Sequence, residues 1–166
     1  MWNKVVQFPI EWDKKEYTRT TMFTGRFEHI IDAKGRVSIP SKFRETLSVS
    51  FTENLVITND VEGCLVAYPE IIWKEFNDRV ADKSRFDMNV RNLLRFYISG
   101  AQECPLDKQG RIMIPPNLRT YAGLEKDVVL VGQIKTIEIW SRDKWTEVFE
   151  KSKLGFDHKA LALLGL

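Results

Sequence analysis

The sequence predicts a mainly β chain with short helices, an α+β protein made of two tandem copies of one small module. Three observations point there. A segment of thirteen residues recurs at an offset of 75, β-rich runs surround a glycine turn in both copies, and the helical stretches between them are short. The length and composition suit this reading. A chain of 166 residues that is 43% hydrophobic and 29% charged can form one medium domain or two small fused modules around a shared core.

The repeat carries most of the argument. Asp32 to Arg44 aligns with Asp107 to Arg119, and six of thirteen positions are identical: Asp32/Asp107, Gly35/Gly110, Arg36/Arg111, Ile39/Ile114, Pro40/Pro115 and Arg44/Arg119. Gly25 and Glu28 match Gly100 and Glu103 upstream, and Leu55 and Val56 match Leu130 and Val131 downstream. After a slip of three residues, Tyr68 and Trp73 fall opposite Trp140 and Trp145. Two modules follow, 24–76 and 99–148. A linker helix region occupies 77–98, an N-terminal extension 1–21 and a C-terminal tail 149–166.

Each module reads the same way from its residues. An extended run, Phe27 to Ile31 or Gln102 to Leu106, enters a turn closed by Gly35 or Gly110, where glycine accepts a positive φ. A second strand, Arg36 to Ile39 or Arg111 to Ile114, stops at proline. A short helix then turns Phe43 and Leu47, or Leu118, inward, with Ser41 as the expected cap of the first copy. Asn54 to Thr58 and Cys64 to Tyr68 complete one unit as strands; Asp127 to Val131 and Thr136 to Trp140 complete the other.

Helices follow the strands. One near Pro69 to Val80 carries Trp73 and Phe76, and its counterpart around Ser141 to Phe149 carries Trp145 and Phe149. Between the modules, Asp87 is set to cap an amphipathic helix running to Tyr97 with one buried face. The tryptophans follow the helical period, which marks them as core or module-interface anchors. The tail at Ala160 to Leu166 is apolar enough to dock on a surface.

Charge is concentrated on the duplicated turn. Lys34, Arg36, Lys42 and Arg44 against Asp32 leave +3, and Lys108, Arg111 and Arg119 against Asp107 leave +2. These 26 residues therefore carry +5 in a chain whose net charge is +2. A basic turn on a strand pair suits nucleic acid: lysine neutralises phosphates, and the planar fork of arginine fits a guanine edge. Asp32 and Asp107, four residues ahead of Arg36 and Arg111, can accept turn amides and hold the guanidinium. An isolated turn of this kind is ordinary hairpin chemistry. Its recurrence with the flanking Ile, Pro and Arg is what favours a binding role.

Other classes find little support. His29 and His158 stand alone, and the hydrolase, zinc-protease and phosphate-loop motifs are missing, so no catalytic residues, metal or cofactor are expected. Cys64 and Cys104 are far apart and read as buried apolar residues. No run approaches the roughly 20 apolar residues of a membrane helix, and the first residues lack the core of a signal peptide. A cytoplasmic location is expected, with no membrane partner and no small-molecule substrate.

On these motifs the chain resembles the MraZ family, regulators related to the AbrB/SpoVT swapped-hairpin DNA-binding fold. The resemblance rests on Met22 to Arg26, Asp32 to Pro40, Asp107 to Pro115, and Tyr121 to Gln133 leading to Ile137 to Trp140. It implies an intrachain pseudo-dimer barrel of two tandem AbrB-like swapped-hairpin modules, and assembly of chains into a ring-shaped homo-oligomer. It also implies nucleoid-associated binding of double-stranded DNA at short tandem G-rich repeats upstream of the division and cell-wall gene cluster. The family's DNA-contacting arginines fall on Arg36 and Arg111, with Asp32 and Asp107 as motif partners and Gly35 and Gly110 closing the turns. Lys34, Lys42, Arg44, Lys108 and Arg119 join the candidate DNA-binding set on charge alone, and Arg44 and Arg119 equally suit a supporting role. Family members begin near Met22, which leaves 1–21 as an extra segment. The competing reading is an antitoxin-like or scaffold module on the same fold, against which the duplication and short tail argue.

Overall fold

One equivalent proline in each module, Pro40 and Pro115, leads into its first helix, and the elements fall around them in the same order twice. A computed structural model describes residues 22–166, so the extension expected at 1–21 lies outside the described residues. The first copy runs β1 (Arg26–Ile30), β2 (Arg36–Ser38), α1 (Ser41–Ser50), β3 (Asn54–Asn59), β4 (Leu65–Pro69) and α2 (Glu70–Ala81). Next comes α3 (Met88–Leu93), which continues into a π-helical turn at Leu94–Ile98. The second copy runs β5 (Gln102–Pro105), β6 (Arg111–Met113), α4 (Pro116–Ala122), β7 (Asp127–Gly132), β8 (Ile137–Ser141) and α5 (Arg142–Gly155), before α6 (His158–Leu163).

Six strands form one antiparallel sheet in the order β1-β7-β8-β4-β3-β5. The copies exchange strands within it. β1 of the first copy pairs with β7 of the second, Phe27 opposite Leu130, while β5 of the second pairs with β3 of the first, Cys104 opposite Leu55. β2 and β6 leave the sheet and pair with each other in a separate two-stranded ribbon, Val37 opposite Ile112. The expected barrel therefore does not close. β1 and β5 are the ends of the large sheet, and the strands that follow them are spent on the ribbon, so among the described residues none remains to bridge the gap.

One core joins both copies. Val37 and Ile39 with Phe43 and Leu47 from the first, and Ile112, Ile114, Leu118 and Ala122 from the second, pack onto the buried face of the sheet at Leu55, Ile57, Leu65, Leu130 and Ile139. The ribbon, α1 and α4 thus cover one face. On the other face, α5 lies over Cys64, Val129, Val131 and Trp140, with Trp145 and Val148 closing the layer. Tyr68, Trp73, Phe76 and Tyr97 form the matching aromatic group of the first copy, with the Tyr68 and Tyr97 hydroxyls 2.5 Å apart. Trp140 is fully buried, whereas Trp73 and Trp145 are half-buried anchors at the outer edge of their layers. Both cysteines are buried, and burial pushes the Cys104 thiol up to about 11.

Three local expectations change. Ser41 does not cap α1: the cap position is Pro40, and Ser41 lies one residue inside the helix, where its hydroxyl makes no capping bond. Pro115 repeats this arrangement before α4. Asp87 does cap α3, its carboxylate accepting from the Asn89 amide at 2.8 Å, but that helix buries no residue completely. The π-helical turn instead meets the end of β3 through backbone carbonyls, Thr58 Oγ1 donating to Tyr97 O and Asn59 Nδ2 to Phe96 O. Among the described residues α6 and the residues after it leave Leu163, Leu164 and Leu166 exposed, so the tail is not buried against the sheet. No helix among the described residues is long and apolar enough to cross a membrane.

Candidate nucleic-acid interface

The two Asp-x-x-Gly-Arg turns are built by the same hydrogen bonds. In the first, the Gly35 amide donates to Asp32 O at 2.9 Å and the Asp32 amide to Arg36 O at 3.0 Å. In the second, Gly110 donates to Asp107 O at 2.9 Å and Asp107 to Arg111 O at 2.8 Å. Glycine is required at the fourth position because φ is +83° at Gly35 and +72° at Gly110, a left-handed geometry that side chains disfavour.

Each aspartate carboxylate does two jobs. Oδ1 of Asp32 accepts the amides of Lys34 at 3.0 Å and Arg36 at 2.9 Å, while Oδ2 accepts Arg36 Nε at 2.7 Å. Oδ1 of Asp107 accepts the amides of Gln109 at 2.8 Å and Arg111 at 3.0 Å, and Oδ2 takes Arg111 Nε at 2.9 Å. Both carboxyls are held below the ordinary aspartate value, first by the arginine backbone amide and then by the guanidinium beside them, against the opposing effect of desolvation. Among the described residues neither guanidinium has a second partner, and each arginine side chain is about one third exposed, 35% at Arg36 and 29% at Arg111.

Strand alternation decides which way the arginines face. In the ribbon, Arg36 is opposite Met113 and Ser38 is opposite Arg111, with the buried pair Val37 and Ile112 between them. Residues directly opposite share a face, so Arg36, Ser38, Arg111 and Met113 all stand on the outer side. The arginines are diagonal neighbours there, about 7 to 8 Å apart at their backbones.

Arg44 and Arg119 go elsewhere. A Cβ built on Gly35 would lie 2.7 Å from Arg119 Nε, and one on Gly110 would lie 2.6 Å from Arg44 Cδ. Each helix arginine thus lies against the turn of the opposite copy, and Arg44 Nε also donates to Ile39 O at 3.2 Å. Ile39 N donates to Gly110 O and Ile114 N to Gly35 O, so the turns are cross-braced by backbone as well. Arg119 Nε is buried without a hydrogen-bond partner among the described residues.

The lysines are scattered. Lys34 and Lys108 are exposed on their turns, at the third and second turn positions respectively, so they are not equivalents in the repeat. Lys42 Nζ donates to Thr24 Oγ1 at 3.1 Å. Ser38 and Met113 share the outer face with the arginines and escaped the sequence reading. Strand period alone placed them beside Arg36 and Arg111 in sequence; their cross-strand pairing could not be read from it. No group of His, Cys, Asp and Glu able to hold a metal occurs among the described residues.

Comparison with known proteins agrees with the duplication. The family model described as MraZ protein, antitoxin-like, matches twice in tandem, over residues 22–96 and 97–165. The chain is 47% identical over 124 residues to the transcriptional regulator MraZ of Lachnoclostridium phytofermentans, covering 75% of this chain and 84% of that protein. It is 42% identical over 139 residues to the protein of the same name from Natranaerobius thermophilus, covering 84% and 94%. The relative of that name from Heliobacterium modesticaldum is 41% identical over 143 residues, 86% of this chain and 97% of that one.

Proposed function

The chain belongs to the MraZ family, and on that premise we propose that it is a sequence-specific, DNA-binding transcriptional regulator. The observation that carries the reading is the outer face of the ribbon: two arginines, each clamped through Nε by an aspartate, with the paired terminal nitrogens unpartnered among the described residues. That end of the fork matches O6 and N7 of guanine, and a two-stranded ribbon fits the major groove. Clamping lowers the ordering cost of the contact, because the side chain is held before DNA arrives.

Lys34 and Lys108 flank the face and neutralise phosphates, Lys42 adds charge on α1, and Arg44 and Arg119 brace the turns. The strand exchange between copies supports the swapped-hairpin description and the two module ranges 24–76 and 99–148. The target is double-stranded DNA carrying short tandem G-rich repeats, at the promoter of the division and cell-wall gene cluster in the nucleoid. Self-assembly into a ring is supported by β1 and β5 ending the sheet, each with its outer edge unpaired among the described residues, and by exposed Leu163, Leu164 and Leu166 at the end of α6 and after it. Linked subunits would convert weak single contacts into tight binding on repeats.

Genome-wide mapping of bound DNA tests the reading. Enrichment at one promoter with tandem G-rich repeats is expected; a diffuse or empty profile refutes sequence-specific regulation. The antitoxin-like description of the family favours a second outcome, in which a stoichiometric protein partner co-purifies in place of DNA.

A further inference from the structure

The chain is duplicated, yet the outer face of its ribbon is not symmetric. The pseudo-twofold axis runs through the Val37 and Ile112 pair, and it relates Arg36 to Arg111 and Ser38 to Met113. The arginines are the same residue; the other two positions differ. Met113 stands opposite Arg36 and is 62% exposed among the described residues, an apolar side chain held among charges. Ser38 stands opposite Arg111 and offers a hydroxyl that can donate or accept.

We propose that Met113 and Ser38 are specificity-determining residues that give the DNA-reading face a polarity. This deepens the DNA-binding reading above and rests on it. On the major-groove edges of the bases, the 5-methyl group of thymine is the apolar feature an exposed methionine can cover. Met113 therefore selects thymine beside the guanine taken by Arg36. Ser38, beside Arg111, hydrogen-bonds a base edge and accepts more than one base. The lysines strengthen the asymmetry, since Lys34 and Lys108 occupy different positions in their turns. A face with two like arginines and two unlike neighbours reads a site with a direction.

The test selects duplexes from a random-sequence DNA library with the full chain and with Met113→Ser, Ser38→Met, Arg36→Ala and Arg111→Ala. Met113 and Ser38 lie outside the core, and matched thermal melts establish that the variants fold. Wild-type protein is expected to select a non-palindromic site. Replacing thymine by uracil, one position at a time in that site, should cost about fourfold in affinity at one thymine near a selected guanine, the value for one buried methyl. Met113→Ser should lose that single penalty and keep the guanines. Ser38→Met, which makes the four outward ribbon positions twofold symmetric while the lysines stay unequal, should move the selected site towards a palindrome. A palindromic wild-type site, or an unchanged uracil penalty in Met113→Ser, overturns the inference while leaving DNA reading intact. If both arginine variants select the same sequences as wild type, or nothing is selected at all, the DNA-binding reading fails and this inference with it.

Discussion

Asp32 and Asp107 hold the two arginines by geometry and charge together, and this makes the turn insensitive to pH where proteins work. Their carboxyl values are lowered in the fold, so their contribution is present above the unfolded aspartate value of about 3.9 and is lost as pH falls through the lowered folded value. The ratio of specific to non-specific DNA binding should stay flat between about pH 5.5 and 8, measured on selected and scrambled duplexes. A change across that window would assign the contact to another group. Arg36→Ala or Arg111→Ala should cost about 1 to 3 kcal/mol per contact and flatten sequence preference. Their melts should stay within roughly 0.5 kcal/mol of wild type, as for surface positions. Lysine should not rescue either site, because its point charge lacks the fork. Early melting with normal binding by the folded fraction would make the turn structural. Lys34→Ala and Lys108→Ala should weaken binding to all sequences and lower the salt slope by about one each.

At the scale of the element, the turn and helix of opposite copies are locked together. Gly35 is the sharpest probe of that lock. Gly35→Ala places a Cβ 2.8 Å from Ile114 O and 2.7 Å from Arg119 Nε, in a left-handed backbone. It should destabilise the protein by more than about 1 kcal/mol in chemical denaturation, exceeding any loss seen for Arg36→Ala. Equal stability would mean that the brace is slack. α1 is held by Phe43, which is fully buried and meets Phe23 and Phe27 edge-on at 5.6 and 5.1 Å. Phe43→Ala should cost about 3 to 5 kcal/mol.

Across the whole molecule, the copies are not separable domains. β1 completes its pairing on β7, β5 on β3, and β2 on β6, so either half alone would leave two strands wholly unpaired, β1 and β2 or β5 and β6. The segments 22–96 and 97–165, expressed separately, should be unfolded or self-associated by circular dichroism and sedimentation. Mixed together they should recover a common structure, and the intact chain should unfold in one cooperative step. A stable folded monomer of either half would contradict a shared core.

Much of this was legible in the residues because turn chemistry is local. Gly35 and Gly110 close turns that only glycine accepts comfortably, Asp32 and Asp107 lie within reach of their own arginines, and Phe43, Leu47 and Leu118 sit at inward positions of short helices; none of these depends on distant chain. The cross-strand partners of Arg36 and Arg111 do depend on it. In a duplicated sequence, pairing within a copy and exchange between copies present the same hydrophobic pattern. Only the tertiary structure decides between them, by placing β1 and β5 in the large sheet and β2 and β6 in the ribbon. The same ambiguity hid the placement of Met113 beside Arg36 and of Arg119 over Gly35, since both cross from one copy to the other. The open sheet belongs to this class as well: closure depends on where β2 and β6 go, and their burial pattern is satisfied equally by a barrel wall or by a ribbon. By itself, then, the sequence determined the modules, the turns and the inward-facing residues, because short-range sterics and hydrogen bonds specify them. Strand exchange and the meeting of Arg36, Ser38, Arg111 and Met113 on one face of the ribbon were decided by tertiary packing, where one shared core fixes which copy each strand joins.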